Sequence, residues 1–188
     1  MLKVLIAGDS YASDWNEKLE WWKSLPYDIT NVAQAGSSQY RILKSLCVSL
    51  DYDVIVIFHT SPYRLYTENN TLHTNSPTHK HSDYIIGDVI AKGGDISKAM
   101  KSYVKYFYNE ELVLYNHRKI CEDIINITKH TKVIHASGFD YDDIFEFDDM
   151  TSIRHIAETQ HGSVCHMNTI GNKMVADIIE TKIKNLTL

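Results

Sequence analysis

The sequence predicts an α/β fold, a three-layer α/β/α sandwich built on a short, mainly parallel sheet. Three observations predict it. Leu2 to Ala7, Val54 to Phe58 and Lys132 to Ala136 are nearly unbroken apolar runs, the pattern of strands covered on both faces. Segments of helical period separate the runs, which places helices on both sides of one sheet. Each run also ends in small or polar turn residues: Gly8-Asp9-Ser10, His59-Thr60-Ser61 and Ser137-Gly138.

The elements follow in order. After the first strand, Ser13-Asp14 can cap a helix reaching about Leu25, with Leu19, Trp22 and Leu25 on one stripe and Pro26 after it. Tyr27 to Val32 is a weaker strand pattern that ends at Ala35-Gly36-Ser37-Ser38. Gln39 to Leu50 fits a helix with Ile42, Leu43, Leu46 and Leu50 on one face. Ile96 to Thr128 spans two helices, with Tyr103, Tyr106, Phe107 and Tyr108 expected on an inner face. From Asn168 the chain reads as a closing helix with Ile170, Met174, Val175 or Ala176, and Ile178 or Ile179 turned inward. Neither a repeat nor a linker divides the chain, so residues 1–188 are read as one domain. A chain of this length can bury roughly 70% of its unfolded surface.

Composition narrows the function classes. A net charge of -5 with scattered Lys and Arg gives no phosphate-binding face, so a nucleic-acid partner is not expected. The three cysteines, Cys47, Cys121 and Cys165, are odd in number and far apart, which argues against a disulfide framework and for a reducing, cytoplasmic setting. Metal-ligand spacings of the CxxC or HExxH kind are absent, and no cofactor or metal is expected. The N-terminal apolar run is too short for a signal peptide, and no stretch approaches the roughly 20 apolar residues that span a bilayer.

One segment stands apart. Thr60 to Tyr84 is polar, holds two of the three prolines and lacks a sustained apolar period. Long loops in compact domains are commonly functional, and this one begins at the carboxyl edge of a strand, where open α/β sheets bind ligands. It is read as a lid or substrate-selecting loop, against the plainer reading of a mobile insertion. Its His73, His79 and His81 lie among Asn, Thr, Ser and Pro, so a solvated loop is preferred to a metal site.

In a doubly wound sheet, Ser10, Gly36 and the His59–Ser61 turn emerge at the same carboxyl edge. "HGSVCHMNTIG" places His161 and His166 just before the last helix, which packs beside the first strand. A hydroxyl, an imidazole and backbone donors can therefore meet there, as acyl transfer requires. Taken alone, Ser10 could equally be a turn residue capping the next helix. His166 could be a helix-terminal histidine, with His161 as the fallback base. Cys165 reads as an idle thiol rather than a nucleophile, since its chain neighbour cannot easily act as its base. Trp15, Trp21 and Trp22 read as core packing.

These residues resemble the blocks of the SGNH hydrolases, the GDSL esterase/lipase superfamily. Gly8-Asp9-Ser10 is similar to the nucleophile block. Ala35-Gly36 is similar to the second block, whose glycine lends an N–H to the oxyanion hole. "HMNTIGNKMVADII" from His166 is similar to the last block, with its catalytic histidine. The anchors run from residue 8 to residue 179 in the family's order, and the resemblance implies a flavodoxin-like strand order.

Two positions depart from the family pattern. Its third block carries Gly-x-Asn-Asp, and here His59, Ser61 and Pro62 fall at the Gly, Asn and second Asp. A serine hydroxyl can donate a hydrogen bond but is shorter than an Asn amide. His59, Thr60 or Arg64 could supply a donor instead. The last block usually has Asp three residues before the histidine, where this chain has Ser163. Glu158, Glu146, Asp148 or Asp149 are candidates to replace that acid.

The resemblance implies a serine esterase acting on a carboxylic ester, an O-acetyl carbohydrate or small acyl ester, through a Ser10–His166 dyad. Ser10, Gly36 and Ser61 would hold the oxyanion, while Asp9 stabilises the turn. The alternatives are a non-catalytic SGNH-like binding module and an acyltransferase whose loop excludes water. Oligomeric state is left open.

Overall fold

Apolar strands without alternation need cover on both faces, and β1 (Lys3–Gly8) and β3 (Val54–His59) have it: Val4 to Gly8 and all of β3 are buried. The computed structural model describes residues 1–14, 20–46, 51–68, 82–139, 150–160, 162 and 166–188. β1 and β3 form the centre of a four-stranded sheet, flanked by β2 (Asp28–Asn31) and β6 (Lys132–Ser137) in the order β2-β1-β3-β6. Every neighbouring pair is parallel, with Ile6 opposite Asn31 and Val56, and His59 opposite Ser137. This is the flavodoxin-like order, with the sheet switching direction at β1 and β3.

Alternate residues of each strand enter different cores, as the two-residue strand period demands. Val4, Ile6, Val56, Phe58 and Ile134 pack under α5 (Met150–Thr159) and α6 (Thr169–Thr187), against Ile153, Val175, Ile179 and Ile183. Leu5, Ala7, Ile55 and Ile57 pack under α1 (Gln39–Leu46) and α4 (Glu110–Thr128), against Ile42, Leu46 and Ile124. The result is the expected three-layer α/β/α sandwich. Asn168 caps α6 by accepting the Gly171 N–H at 2.9 Å, which starts that helix directly beside the carboxyl edge. No described helix is long and apolar enough to cross a membrane.

Several boundaries differ from the sequence reading, each for a tertiary reason. The helix expected up to Leu25 is, in its described part, a single 3₁₀ turn at Trp21–Ser24, while Leu19 and Trp15 lie outside the described residues. Trp21 is held by distant partners: its N–H donates to Asn172 Oδ1 at 3.1 Å and its indole N–H to the Tyr11 carbonyl at 2.9 Å. Ile170 and Met174 are exposed, because α6 turns Val175, Ala176, Ile179 and Ile183 to the sheet. Tyr106 and Phe107 are exposed as well. α2 (Ile86–Lys92) and α3 (Gly94–Tyr106) pack chiefly on each other, so the end of α3 overhangs the core. Residues 47–50, including Leu50, lie outside the described part of the second helix.

The polar segment after β3 is not structureless at its ends. β4 (Arg64–Leu65) and β5 (Tyr84–Ile85) form an antiparallel ribbon, Arg64 opposite Ile85 and Leu65 opposite Tyr84. Residues 69–81, with His73, His79 and His81, lie outside the described residues.

Candidate active site

The carboxyl edge of the sheet assembles four turns. Ser10 follows β1, Gly36 follows β2, Thr60 and Ser61 follow β3, and Phe139 follows β6. Gly8 closes β1 with φ +152°, and a Cβ there would lie 2.7 Å from the Phe58 Cβ, so only glycine lets β1 approach β3 this closely. The next residue, Asp9, is fully buried. Its Oδ1 accepts the Tyr11 N–H at 3.0 Å, its Oδ2 accepts the Thr60 hydroxyl at 3.1 Å, and Arg64 Nη2 pairs with Oδ2 at 3.2 Å. Burial raises the Asp9 carboxyl above its ordinary range, while Arg64, the Tyr11 N–H and the Thr60 hydroxyl pull it the other way. The side chain therefore shapes the turn that presents Ser10.

Ser10 is half-buried, and its carbonyl accepts the Ser13 hydroxyl at 3.4 Å. His166 comes from the far end of the chain, two residues before the α6 cap, and its Nε2 is buried. Its ring lies against Tyr11 at a centroid distance of 5.8 Å. Tyr11 in turn meets Phe139 edge-on at 5.5 Å and lies against Gly138, where a Cβ would be 2.6 Å from the ring. His166 also acts on Asp9 electrostatically. Ser10, Asp9 and His166 are thus gathered at one corner. Among the described residues the Ser10 hydroxyl makes no hydrogen bond, including to His166.

Gly36 lies on the neighbouring turn, after β2. Gly36 is buried with φ +73°, and a Cβ there would sit 2.6 Å from the Ser82 Cβ. Among the described residues neither the Ser10 nor the Gly36 N–H donates to another group. Both N–H groups are therefore available to an acceptor.

The other residues expected to supply donors have partners of their own. Ser61 Oγ accepts the Tyr63 N–H at 3.2 Å, and the Thr60 N–H donates to Gln39 Oε1 at 3.1 Å. His59 is fully enclosed: Gln39 Nε2 meets its Nδ1 at 2.7 Å, and its Nε2 meets His135 Nδ1 at 2.9 Å. With the Gln39 amide oriented by Thr60, the amide donates to Nδ1 and His59 Nε2–H donates onward to His135. Burial, together with His135 and His117, holds the His59 imidazole well below the usual range, so it is neutral. Arg64 donates from Nη1 to the Ser37 carbonyl at 3.0 Å and stacks over Phe139 at 5.1 Å.

Of the acids considered as partners for His166, Glu158 is exposed and pairs with Arg154 at 2.7 Å. Glu146, Asp148, Asp149, Ser163, His161 and Cys165 lie outside the described residues. Reasoning from sequence missed Gln39, Arg41 and Asp83. The Asp83 carboxylate takes the Ser38 N–H at 2.7 Å, the Thr67 N–H at 2.9 Å and two Arg41 nitrogens, at 2.7 and 3.1 Å. No periodicity or short motif marks such pairs.

No protein-family model and no curated protein matches the chain. Two solved structures overlap most of its length. A candidate acylhydrolase from Bacteroides fragilis has a TM-score of 0.39 and 11% identity, over 98% of this chain and 88% of the other. A candidate platelet activating factor from Streptococcus pneumonia has a TM-score of 0.36 and 12% identity, over 97% and 82%. Overlaps this slight carry no argument about activity, which rests on the site itself.

Proposed function

We propose that the chain is a serine ester hydrolase of the SGNH kind, with Ser10 as nucleophile and His166 as its base. One observation carries the reading. Ser10 stands on the strand-to-turn corner of β1 where His166 packs on the adjacent Tyr11, and among the described residues the N–H groups of Ser10 and of Gly36, on the neighbouring turn, have no acceptor.

In this mechanism the Ser10 hydroxyl attacks the ester carbonyl carbon while the His166 imidazole takes its proton. The carbonyl oxygen becomes an oxyanion that accepts the Ser10 and Gly36 N–H groups. Collapse expels the alcohol, which receives the proton from His166 and leaves an acyl-Ser10. A water, deprotonated by His166, then releases the carboxylic acid and restores the hydroxyl. Catalytic hydrogen bonds commonly tighten only once substrate is bound, which accommodates a Ser10 hydroxyl that does not yet reach His166. O-acetylated carbohydrates and small acyl esters are the proposed substrates.

Hydrolysis of an activated aryl acetate tests the reading. Wild type is expected to turn over, and Ser10→Ala to lose activity by about 10⁴-fold or more. Equal rates for the two proteins would refute the reading and favour a binding module.

A further inference from the structure

The Ser10 and Gly36 N–H groups sit on separate loops, one after β1 and one after β2. Two donors on independent loops form a useful oxyanion site only if the loops are held at a fixed spacing, since misplacement by about 1 Å can cost roughly 10²-fold in rate. Arg64 touches both loops one residue away from each donor. Its Nη2 pairs with Asp9 Oδ2 at 3.2 Å, immediately before Ser10, and its Nη1 donates to the Ser37 carbonyl at 3.0 Å, immediately after Gly36. The Arg64 side chain is 7% exposed and the Asp9 side chain is fully enclosed, so the bridge is dry.

The same polar segment grips the Gly36 loop a second time. The Asp83 N–H donates to the Gly36 carbonyl at 3.1 Å, and the Asp83 carboxylate accepts the Ser38 N–H at 2.7 Å. Arg41 locks that carboxylate through Nε and Nη2, and Nη2 also donates to the Thr67 carbonyl at 2.6 Å. The two grips come from opposite ends of the segment, and the β4–β5 pairing joins them, with Arg64 opposite Ile85.

We infer that Arg64 is the positioning residue of the oxyanion site: its one guanidinium spaces the Ser10 and Gly36 loops, and Asp83 fixes the second loop from the other side. This inference rests on the hydrolase reading for its catalytic meaning. It also changes the part given to Arg64. Its two terminal nitrogens are each held by one of the loops, at Asp9 and at Ser37. It acts through the loops it holds. The polar segment, in turn, is a structural member of the site as well as a neighbour of it.

The test uses Arg64→Lys as its main variant. Lysine keeps a positive charge beside buried Asp9, which protects folding, but a single ammonium replaces a planar fork and cannot reach both loops in the same geometry. Turnover of the activated acetate is expected to fall 10- to 100-fold in kcat, with KM changed less than about threefold, because the lost contact matters only once the oxyanion has formed. The double variant Asp9→Asn/Arg64→Gln, which removes both buried charges together, guards against misfolding and is expected to show the same split. Amide hydrogen exchange supplies a readout independent of activity. It should accelerate in Arg64→Lys at Tyr11, whose N–H donates to Asp9 Oδ1, and at Ser37, whose N–H donates to the Gln34 carbonyl, and stay unchanged at Val56 and Ile57 in β3. Unchanged exchange at Tyr11 and Ser37, or a loss confined to KM, would overturn the inference. Wild type without turnover but with faster exchange in the variant would refute the hydrolase reading, and with it the catalytic meaning of Arg64, while leaving the bridge itself standing.

Discussion

Two buried polar clusters lie side by side at the carboxyl edge of the sheet, and they solve the same problem in opposite ways. Asp9, Arg64 and Thr60 form a charged cluster beneath Ser10, in which the carboxylate is paired and hydrogen-bonded. His59, His117 and Cys121 form a cluster on the α4 side that burial keeps neutral, with His135 hydrogen-bonded to His59. Thr60 stands between them, its hydroxyl donating to Asp9 and its N–H to Gln39. Charge is retained where it ties two loops together and avoided where the groups only fill and order the sheet edge. A buried ion pair rarely adds net stability over apolar packing. Its retention under the proposed nucleophile therefore points to positioning rather than to stability.

The contrast can be broken from the charged side first. Arg64→Met leaves the Asp9 carboxyl buried without its cation, and is expected to cost about 3–5 kcal/mol in chemical denaturation. Asp9→Asn combined with Arg64→Met should recover much of that loss. A double variant as unstable as the sum of the single ones would show that the two side chains are not coupled.

The second test uses pH, because the clusters respond with opposite sign. His117 is held down to about 4 from an ordinary 6.5 by burial, so the unfolded chain takes a proton in this window that the folded chain refuses. Its contribution to stability is present above about 6.5 and lost as the pH falls through 4, up to about 3 kcal/mol in all. His59 is shifted in the same direction and adds to the effect. Asp9 is shifted upward, so its contribution is present at low pH and lost as the pH rises through its folded value. Thermal unfolding of His117→Gln should show a shallower fall in stability between pH 6.5 and 4 than wild type. Parallel curves would remove His117 from the account.

Smaller effects probe the loops. Gly36→Ala places a Cβ 2.6 Å from that of Ser82 on a backbone with φ +73°, and should cost about 1–3 kcal/mol while lowering turnover more than stability alone explains. The smallest effect is chemical. Burial pushes the Cys121 thiol up to about 12, so in a Cys47→Ser/Cys165→Ser background native protein should react with a maleimide far more slowly than unfolded protein. Rapid native labelling would mean that the neutral cluster opens to solvent.

The parts of this edge differ in how far the sequence discloses them. β1, β3 and β6 were legible because burial on both faces leaves an apolar run that survives without context. The start of α6 was legible because Asn168 is a cap. Ser10, Gly36 and His166 could be placed at one edge because strand ends and helix starts share it in this topology. The 3₁₀ turn at Trp21 was not legible, since it depends on Asn172 and on the Tyr11 carbonyl, both remote or backbone partners. The exposure of Ile170 and Met174 depends on which face of α6 meets the sheet, a choice that apolar residues on more than one face leave open. The Asp9–Arg64 and Arg41–Asp83 pairs carry no spacing rule at all. They exist because two two-residue strands pair, and strands that short have no period to read.

The claim at the centre of this account is that Ser10 is a nucleophile. The most direct measurement is covalent: a serine-directed fluorophosphonate applied to native wild-type protein, followed by peptide mapping. The account predicts one adduct, on Ser10, that Ser10→Ala abolishes and that His166→Ala slows by at least about 10²-fold. A native protein that stays unlabelled, or an adduct on another residue that persists in Ser10→Ala, would contradict it.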